Sequence, residues 1–233
     1  MSDVTKLSSG SIVPAISWRK QDWAYEQMRE WIIVGELPSG ARIEQEQLAS
    51  QLGISRIPLR EAIARLTAEG LLHGKAHQQL VVSELSLEDA RDVYCGRQAL
   101  EGALASQAAQ QASPADIAGI EAVLRQQEQH LGTGSPDEFR KLDHRFHHLI
   151  YETAHTPKTL NAAASLFAMS QRYVRMYLSD PSRSVTSFNE HTAIFEAIKN
   201  GDAELAARLT VEHVATGLAS LEAHYGTPGL TAN

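Results

Sequence analysis

At 233 residues the chain can hold one large or two modest domains, each with its own core. Its hydrophobic content is an ordinary 43%, no apolar run reaches the roughly 18 residues of a membrane span, and the start M-S-D-V-T-K-L-S-S-G does not read as a secretory leader. One cysteine, Cys95, excludes an intramolecular disulfide and fits a reducing cytoplasm, with packing inside an amphipathic helix as its expected use. The net charge of −7 is uneven: residues 1–85 carry 9 Lys+Arg against 10 Asp+Glu, and the remainder 12 against 18, so −1 stands against −6.

In chain order, residues 1–17 read as a loose tail. A first helix is predicted over Trp23–Val34, ended by Gly35 and the Pro38–Gly40 turn, and Ile43 is expected to enter a second. A third runs over Ser55–Glu69. Between the last two, Gly53 can take the left-handed conformation that ends a helix, Ser55 can cap the next, and Pro58 is tolerable in a first turn. Leu48, Leu52, Ile54, Leu59, Ile63 and Leu66 supply the apolar contacts of a helix-turn-helix. Arg56 and Arg60, four apart, project from one face near the end that enters a major groove. Guanidinium groups can bond guanine edges in pairs or grip phosphates, so this spacing points to DNA. After Gly70, Leu71–His73 and Leu80–Ser83 read as short strands of a wing around G-K-A-H-Q-Q. Residues 18–85 are therefore predicted to form a winged helix-turn-helix. DNA affinity carried by a few arginines on a near-neutral domain, doubled in a dimer, should be strongly salt-sensitive.

From Leu87 onward the periodicity is helical. Six helices are predicted, over Leu87–Ala112, Pro114–Leu131, Pro136–Ala154, Lys158–Leu178, Val185–Asn200 and Ala203–His224. Short connections predict an antiparallel bundle over residues 86–225, followed by a tail at 226–233. The fold class is mainly α.

The segment Leu142–Glu152, L-D-H-R-F-H-H-L-I-Y-E, offers two ligand pairs at helical spacing. With Leu142, Phe146, Leu149, Ile150 and Thr153 as the buried stripe, Asp143 and His147 fall on its edge. His144 and His148 fall on the far side with Arg145 and Tyr151, where solvent is expected. His191 sits within the stripe of Phe188, Ile194, Phe195 and Ile198, and His213 faces the bundle from its own helix. A buried imidazole costs free energy unless something bonds it. One carboxylate and three imidazoles form a mixed N/O set suited to Zn²⁺ foremost, or to Ni²⁺, Mn²⁺ or Fe²⁺. The alternative is four hydrogen-bonded structural residues with no metal. A metal-activated water, and hence a hydrolase or other enzyme, is the less favoured third reading.

Both halves together resemble a GntR-family transcription regulator of the FadR subfamily with a C-terminal FCD ligand-binding domain. The residues carrying the resemblance are Tyr25-Glu26-Gln27-Met28-Arg29, Leu37-Pro38-Ser39-Gly40, Leu48-Ala49 and the run Leu52–Leu71. In the back half they are Arg97 with Leu100-Glu101, Asp143 with Phe146-His147, Glu190-His191 with Ile194, Ala197-Ile198, Gly201-Asp202 and His213. Six bundle helices are similar to the VanR-type branch. The resemblance implies that Asp143, His147, His191 and His213 bind a metal, approached by a small carboxylate or sugar acid. It also implies that the bundle dimerises and that effector binding repositions the DNA-binding domains. Arg97 matches an arginine facing the cavity, with Arg172 and Arg175 as further effector candidates. Three departures stand out. Glu46 replaces a DNA-contacting arginine, leaving Gln45 or Gln47 to compensate. The wing reads A-H-Q-Q where relatives have a glycine, which leaves His77 for the DNA contact. Relatives' A-G-N-P is here A-H-T-P, at Ala154–Pro157. The expected function is a cytoplasmic, homodimeric, metabolite-responsive regulator, a repressor rather than an activator, on a roughly palindromic operator.

Overall fold

A computed structural model describes residues 20–74, 79–131, 136–178 and 181–225. They fall into two compact units, the first ending at Leu85 and the second starting at Ser86.

The first unit runs α1 (Lys20–Val34), β1 (Arg42–Ile43), α2 (Gln45–Leu52), α3 (Arg56–Ala68), β2 (Leu72–His73) and β3 (Leu80–Val82). Its core joins Met28 and Ile32 of α1 to Leu59, Ala62 and Leu66 of α3, with Leu48 and Leu52 of α2 beside them. The α1–α3 seam is also polar at its edge. Arg65 lies over the Tyr25 ring at 3.7 Å and donates to Asp22 at 2.9 Å. The Tyr25 hydroxyl donates to the Glu69 carboxylate at 2.9 Å. Gly53 holds φ at 63° and closes α2, and the Ile54 N–H bonds the Ala49 carbonyl at 3.1 Å. A side chain at that left-handed angle would be strained, so glycine fixes the turn.

Two expectations need correcting in this unit. Ile43 does not enter a helix. It is buried in β1 and pairs with Leu80, so the wing is a three-stranded antiparallel sheet in the order β1-β3-β2. A β-branched side chain fits that half-buried pleat, and α2 starts only at Gln45. Ser55 holds the extended N-cap backbone of α3, but its side chain makes no capping bond.

Among the described residues, the second unit holds six helices: α4 (Leu87–Gln111), α5 (Pro114–Gln129), α6 (Pro136–Thr153), α7 (Pro157–Leu178), α8 (Pro181–Lys199) and α9 (Ala203–Tyr225). Starts are marked by caps: Ser86 accepts from the Asp89 N–H, and Ser113 with Asp116 forms a reciprocal capping box ahead of α5. The expected break at D-P-S-R lies earlier than the sequence suggested. α8 opens at Pro181, which needs no N–H partner in a first turn, and Val185 is already helical. α4 and α9 pack closely at Gly102, where a Cβ would stand 2.8 Å from a Val211 methyl. Phe146, Ile150, Phe167, Ile194, Phe195 and Ile198 build the core.

Cys95 is exposed, contrary to the packing role expected of it. His155, in the A-H-T-P turn, holds φ at 52°, a left-handed angle uncommon for a side chain other than glycine's relatives Asn and Asp. No helix among the described residues is long and apolar enough to cross a membrane.

Candidate metal centre and nucleic-acid interface

Three helices deliver the histidines and the aspartate. α6 carries Asp143 and His147 one turn apart on a face more deeply enclosed than its pattern suggested. Both are buried, as is Tyr151, while Leu142 and Leu149 are only partly so. The stripe is thus rotated from the one expected: an apolar count cannot register that polar groups face the bundle centre. α8 brings His191, fully buried and stacked on Phe146 at 4.2 Å between ring centroids, and α9 brings His213. One donor atom from each of Asp143, His147, His191 and His213 lies within 4.8 Å of the other three.

Outer partners set the tautomers. Gln127 of α5 offers its Oε1, an acceptor only, 3.0 Å from His191 Nδ1, so that nitrogen carries the proton and Nε2 keeps its lone pair. Glu190 Oε2 accepts from His213 Nδ1 at 2.7 Å. The Glu190 carboxyl stays below its usual range although burial raises it, because the His213 bond and Arg183 outweigh burial. His147 Nδ1 lies 3.6 Å from Glu101 Oε2 on α4. The Nε2 atoms converge: His147 and His213 stand 3.2 Å apart, and Asp143 Oδ1 lies 3.5 Å from His191 Nε2 and 4.0 Å from His147 Nε2.

Metal–nitrogen bonds of about 2.1 Å set donors about 3.0 Å apart at a right angle and about 3.4 Å at a tetrahedral one, so the 3.2 and 3.5 Å separations suit a divalent ion and the 4.0 Å one would close on binding. The 3.2 Å between His147 Nε2 and His213 Nε2 suits either one shared proton, as an N–H···N bond, or one metal ion bound to both. Burial holds His147 and His191 well below the usual imidazole range, with His213 adding to it, so both are neutral as ligands must be. Burial also pushes the Asp143 carboxyl up to about 6, against the pull of His213 and Arg97.

The cavity beside these groups is lined by Arg97, Asp143, His147, Arg183, Ser187 and His213 among others and measures about 10 Å³, the volume of one water at most. Arg97 reaches it, but its guanidinium is buried against Glu101 at 2.5 Å and donates to Ser170 at 3.0 Å. Burial acts to lower the Arg97 pKa and the Glu101 carboxylate outweighs it, so the charge is firmly held. Of the other effector candidates, Arg172 is buried on α7 outside this lining, and Arg175 is half-exposed 3.8 Å from Asp137. Sequence reasoning missed Gln127 and Arg183, and gave Glu101 and Glu190, both within the resemblance, no role at the site. A carboxylate or amide predicted on a bundle-facing helix was the available signal.

In the first unit, Arg56, Arg60, Gln47 and Ser55 are exposed and Gln45 is partly buried. Arg56 is paired with Glu46, so the residue expected to repel phosphate holds the recognition arginine instead. His77 lies outside the described residues. A roomier concavity, about 670 Å³, runs along α3 between Ile57, Ile63 and Leu80, and is remote in sequence from the histidines. Its walls are open and carry no cluster of titratable groups, so the compact polar cavity is the better candidate for ligand chemistry.

Known proteins place both units. The FCD domain profile matches residues 92–216, and that of the bacterial regulatory proteins of the gntR family matches residues 20–82. The "Putative L-lactate dehydrogenase operon regulatory protein" of Escherichia coli K12 is 31% identical over 225 residues, 84% of this chain and 84% of that protein. The HTH-type transcriptional repressor RspR of the same organism is 25% identical over 190 residues, 82% and 83% of the two chains. The solved structure of Escherichia coli McbR/YncC has a like fold, with a TM-score of 0.79 at 21% identity over 90% of this chain and all of that one. The chain therefore belongs to the GntR family of bacterial regulatory proteins, as a transcription regulator, not an enzyme, that joins a winged helix-turn-helix to an FCD domain.

Proposed function

We propose that this regulator is a cytoplasmic homodimer of the FadR subfamily, VanR-like branch, that represses transcription from a roughly palindromic operator and responds to a small carboxylate or sugar acid. The observation that carries the reading is the convergence of three imidazole nitrogens and one carboxylate oxygen, in a chain whose other unit presents Arg56 and Arg60 on a recognition helix. Asp143, His147, His191 and His213 would hold a divalent ion, Zn²⁺ first among the candidates. An ion held there that accepts more than four ligands would supply Lewis-acid positions for an acid's oxygens. The effector's carboxylate competes with Glu101 for Arg97, and the small cavity enlarges as Arg183 and Glu190 give way; Arg172 and Arg175 follow Arg97 as effector contacts. The Escherichia coli relative named for an L-lactate dehydrogenase operon supports an organic acid of that size.

Ser55, Arg56, Arg60, Gln45, Gln47 and His77 are the proposed DNA contacts. Coupling between effector and DNA is thermodynamic: the acid must bind more tightly to the arrangement that releases the operator. The test combines metal analysis of untagged protein with gel shifts on its own upstream region at moderate salt. About one metal equivalent per chain is expected, falling below a tenth in His147→Ala. Selective retardation should be relieved by millimolar small carboxylates such as L-lactate. Native protein with less than a tenth of an equivalent would leave the histidines as structural residues, and absence of selective retardation would sink the operator reading.

A further inference from the structure

The recognition helix carries one side chain that neither the fold nor the arginine contacts use. Ile57 is 72% exposed, one of two large hydrophobics so placed among the described residues. Its neighbours around α3 are polar or small. The exposed residues Arg56, Ile57, Arg60, Glu61, Ala64 and Ala68 make one strip along the helix, while Leu59, Ala62, Ile63 and Leu66 turn inward. At about 100° per residue Ile57 lies some 60° from Arg60, inside the arc that Arg56 and Glu61 bound. Ala64 and Ala68 leave the strip flat enough for close approach further along.

A β-branched side chain in water at the start of a helix contributes neither burial nor helix propensity, so the fold gives no reason for isoleucine here. The strip itself supplies one. Arginines project on one side of Ile57 and a carboxylate, Glu61, on the other, which gives donors for guanine and an acceptor for the cytosine amino group. A hydrocarbon cannot bond a phosphate or either of those edges. The one apolar group the major groove displays is the C5 methyl of thymine.

We propose that Ile57 is a specificity-determining residue that packs on the methyl group of one thymine in each operator half-site, rejecting cytosine and uracil there. This rests on the recognition-helix reading made above and adds a base identity to it.

Replacing thymine by deoxyuridine removes that methyl and nothing else, so it isolates the contact. The protein would first select its own binding duplex from a random pool. Each thymine of that duplex is then changed singly to deoxyuridine and the dissociation constants compared. One thymine per half-site should show a loss of about fourfold, and about fifteenfold when both half-sites are changed, the scale of one buried methyl group. Ile57→Ala should bind more weakly and be indifferent to the same change, Ile57→Val should keep part of the dependence, and both should unfold at the native temperature. Native protein indifferent to every replacement, or Ile57→Ala with full dependence, overturns the proposal while leaving operator binding intact. Failure to select any sequence overturns the operator reading and this inference together. A shift in oligomeric state in Ile57→Ala, with no uracil effect, would assign the side chain to a protein contact and also overturn it.

Discussion

Gln127 shows how much one side chain can decide. Its Oε1 takes the His191 proton, while its Nε2 is buried without a bond, so the residue is kept for the acceptor alone. Gln127→Leu keeps the volume and removes the acceptor, and Glu190→Gln weakens the hold on His213. Each is expected to reduce metal affinity about 10- to 100-fold, measured by chelator competition with the helical signal unchanged. A change under twofold would show that these partners do not orient the ligands. On the other unit, Glu46 holds Arg56 with both side chains exposed, so the pair contributes on the order of 0–1 kcal/mol to stability. Glu46→Gln removes a charge that opposes phosphate and releases Arg56. It should tighten non-specific DNA binding several-fold and steepen the log–log salt slope by about one unit, read by fluorescence anisotropy across a salt series.

At the scale of the element, caps and close approaches set where the helices lie. The box ahead of α5 is local and separable from the metal centre. Ser113→Ala is expected to destabilise the bundle by about 1 kcal/mol in urea unfolding. Hydrogen bonds from the Ser113 side chain and backbone hold the Asp116 carboxyl below its ordinary range, so the folded state keeps it ionised to lower pH than the unfolded chain does. The carboxylate's contribution is therefore complete above that range and is lost as pH falls through the lowered one; the gap between Ser113→Ala and the native protein should narrow in strong acid to what the Asp116 N–H bond to the Ser113 hydroxyl supplies. Local signals of this kind were readable from residues alone, as were the Gly53 turn and the Asp143/His147 spacing. β1 was not, because two residues, Arg42 and Ile43, become a strand only when Val81 and Leu80 arrive beside them. The outer partners escaped for the same reason: Gln127 meets His191 across 64 residues of chain, and no periodicity encodes which helix faces which. Even the α6 stripe was misplaced, because polar side chains with partners on neighbouring helices can occupy a centre that hydropathy assigns to leucine.

Across the whole molecule, the excess acidity and the proposed metal centre belong to one unit and DNA reading to the other, which lets them be perturbed separately. Stripping metal with a chelator should lower the unfolding temperature of the bundle, by an amount that grows with the ratio of free metal to its Kd, about 4 kcal/mol at a thousandfold excess. Urea unfolding followed at Trp23 and Trp31, both in α1, should stay where it was. A shift of both transitions together would mean that the units unfold as one. The proposed metal centre would have one more effect, on the chain before it folds. His147 and His213 are 66 residues apart, and one ion bound to both closes that span into a ring. By the loop-entropy reckoning used for a disulfide, such a ring takes about 4 kcal/mol of freedom from any unfolded chain that keeps the ion. A reversible, oxidation-proof cross-link of this kind would give a protein with a lone exposed cysteine a staple that metal supply, not redox state, opens and closes.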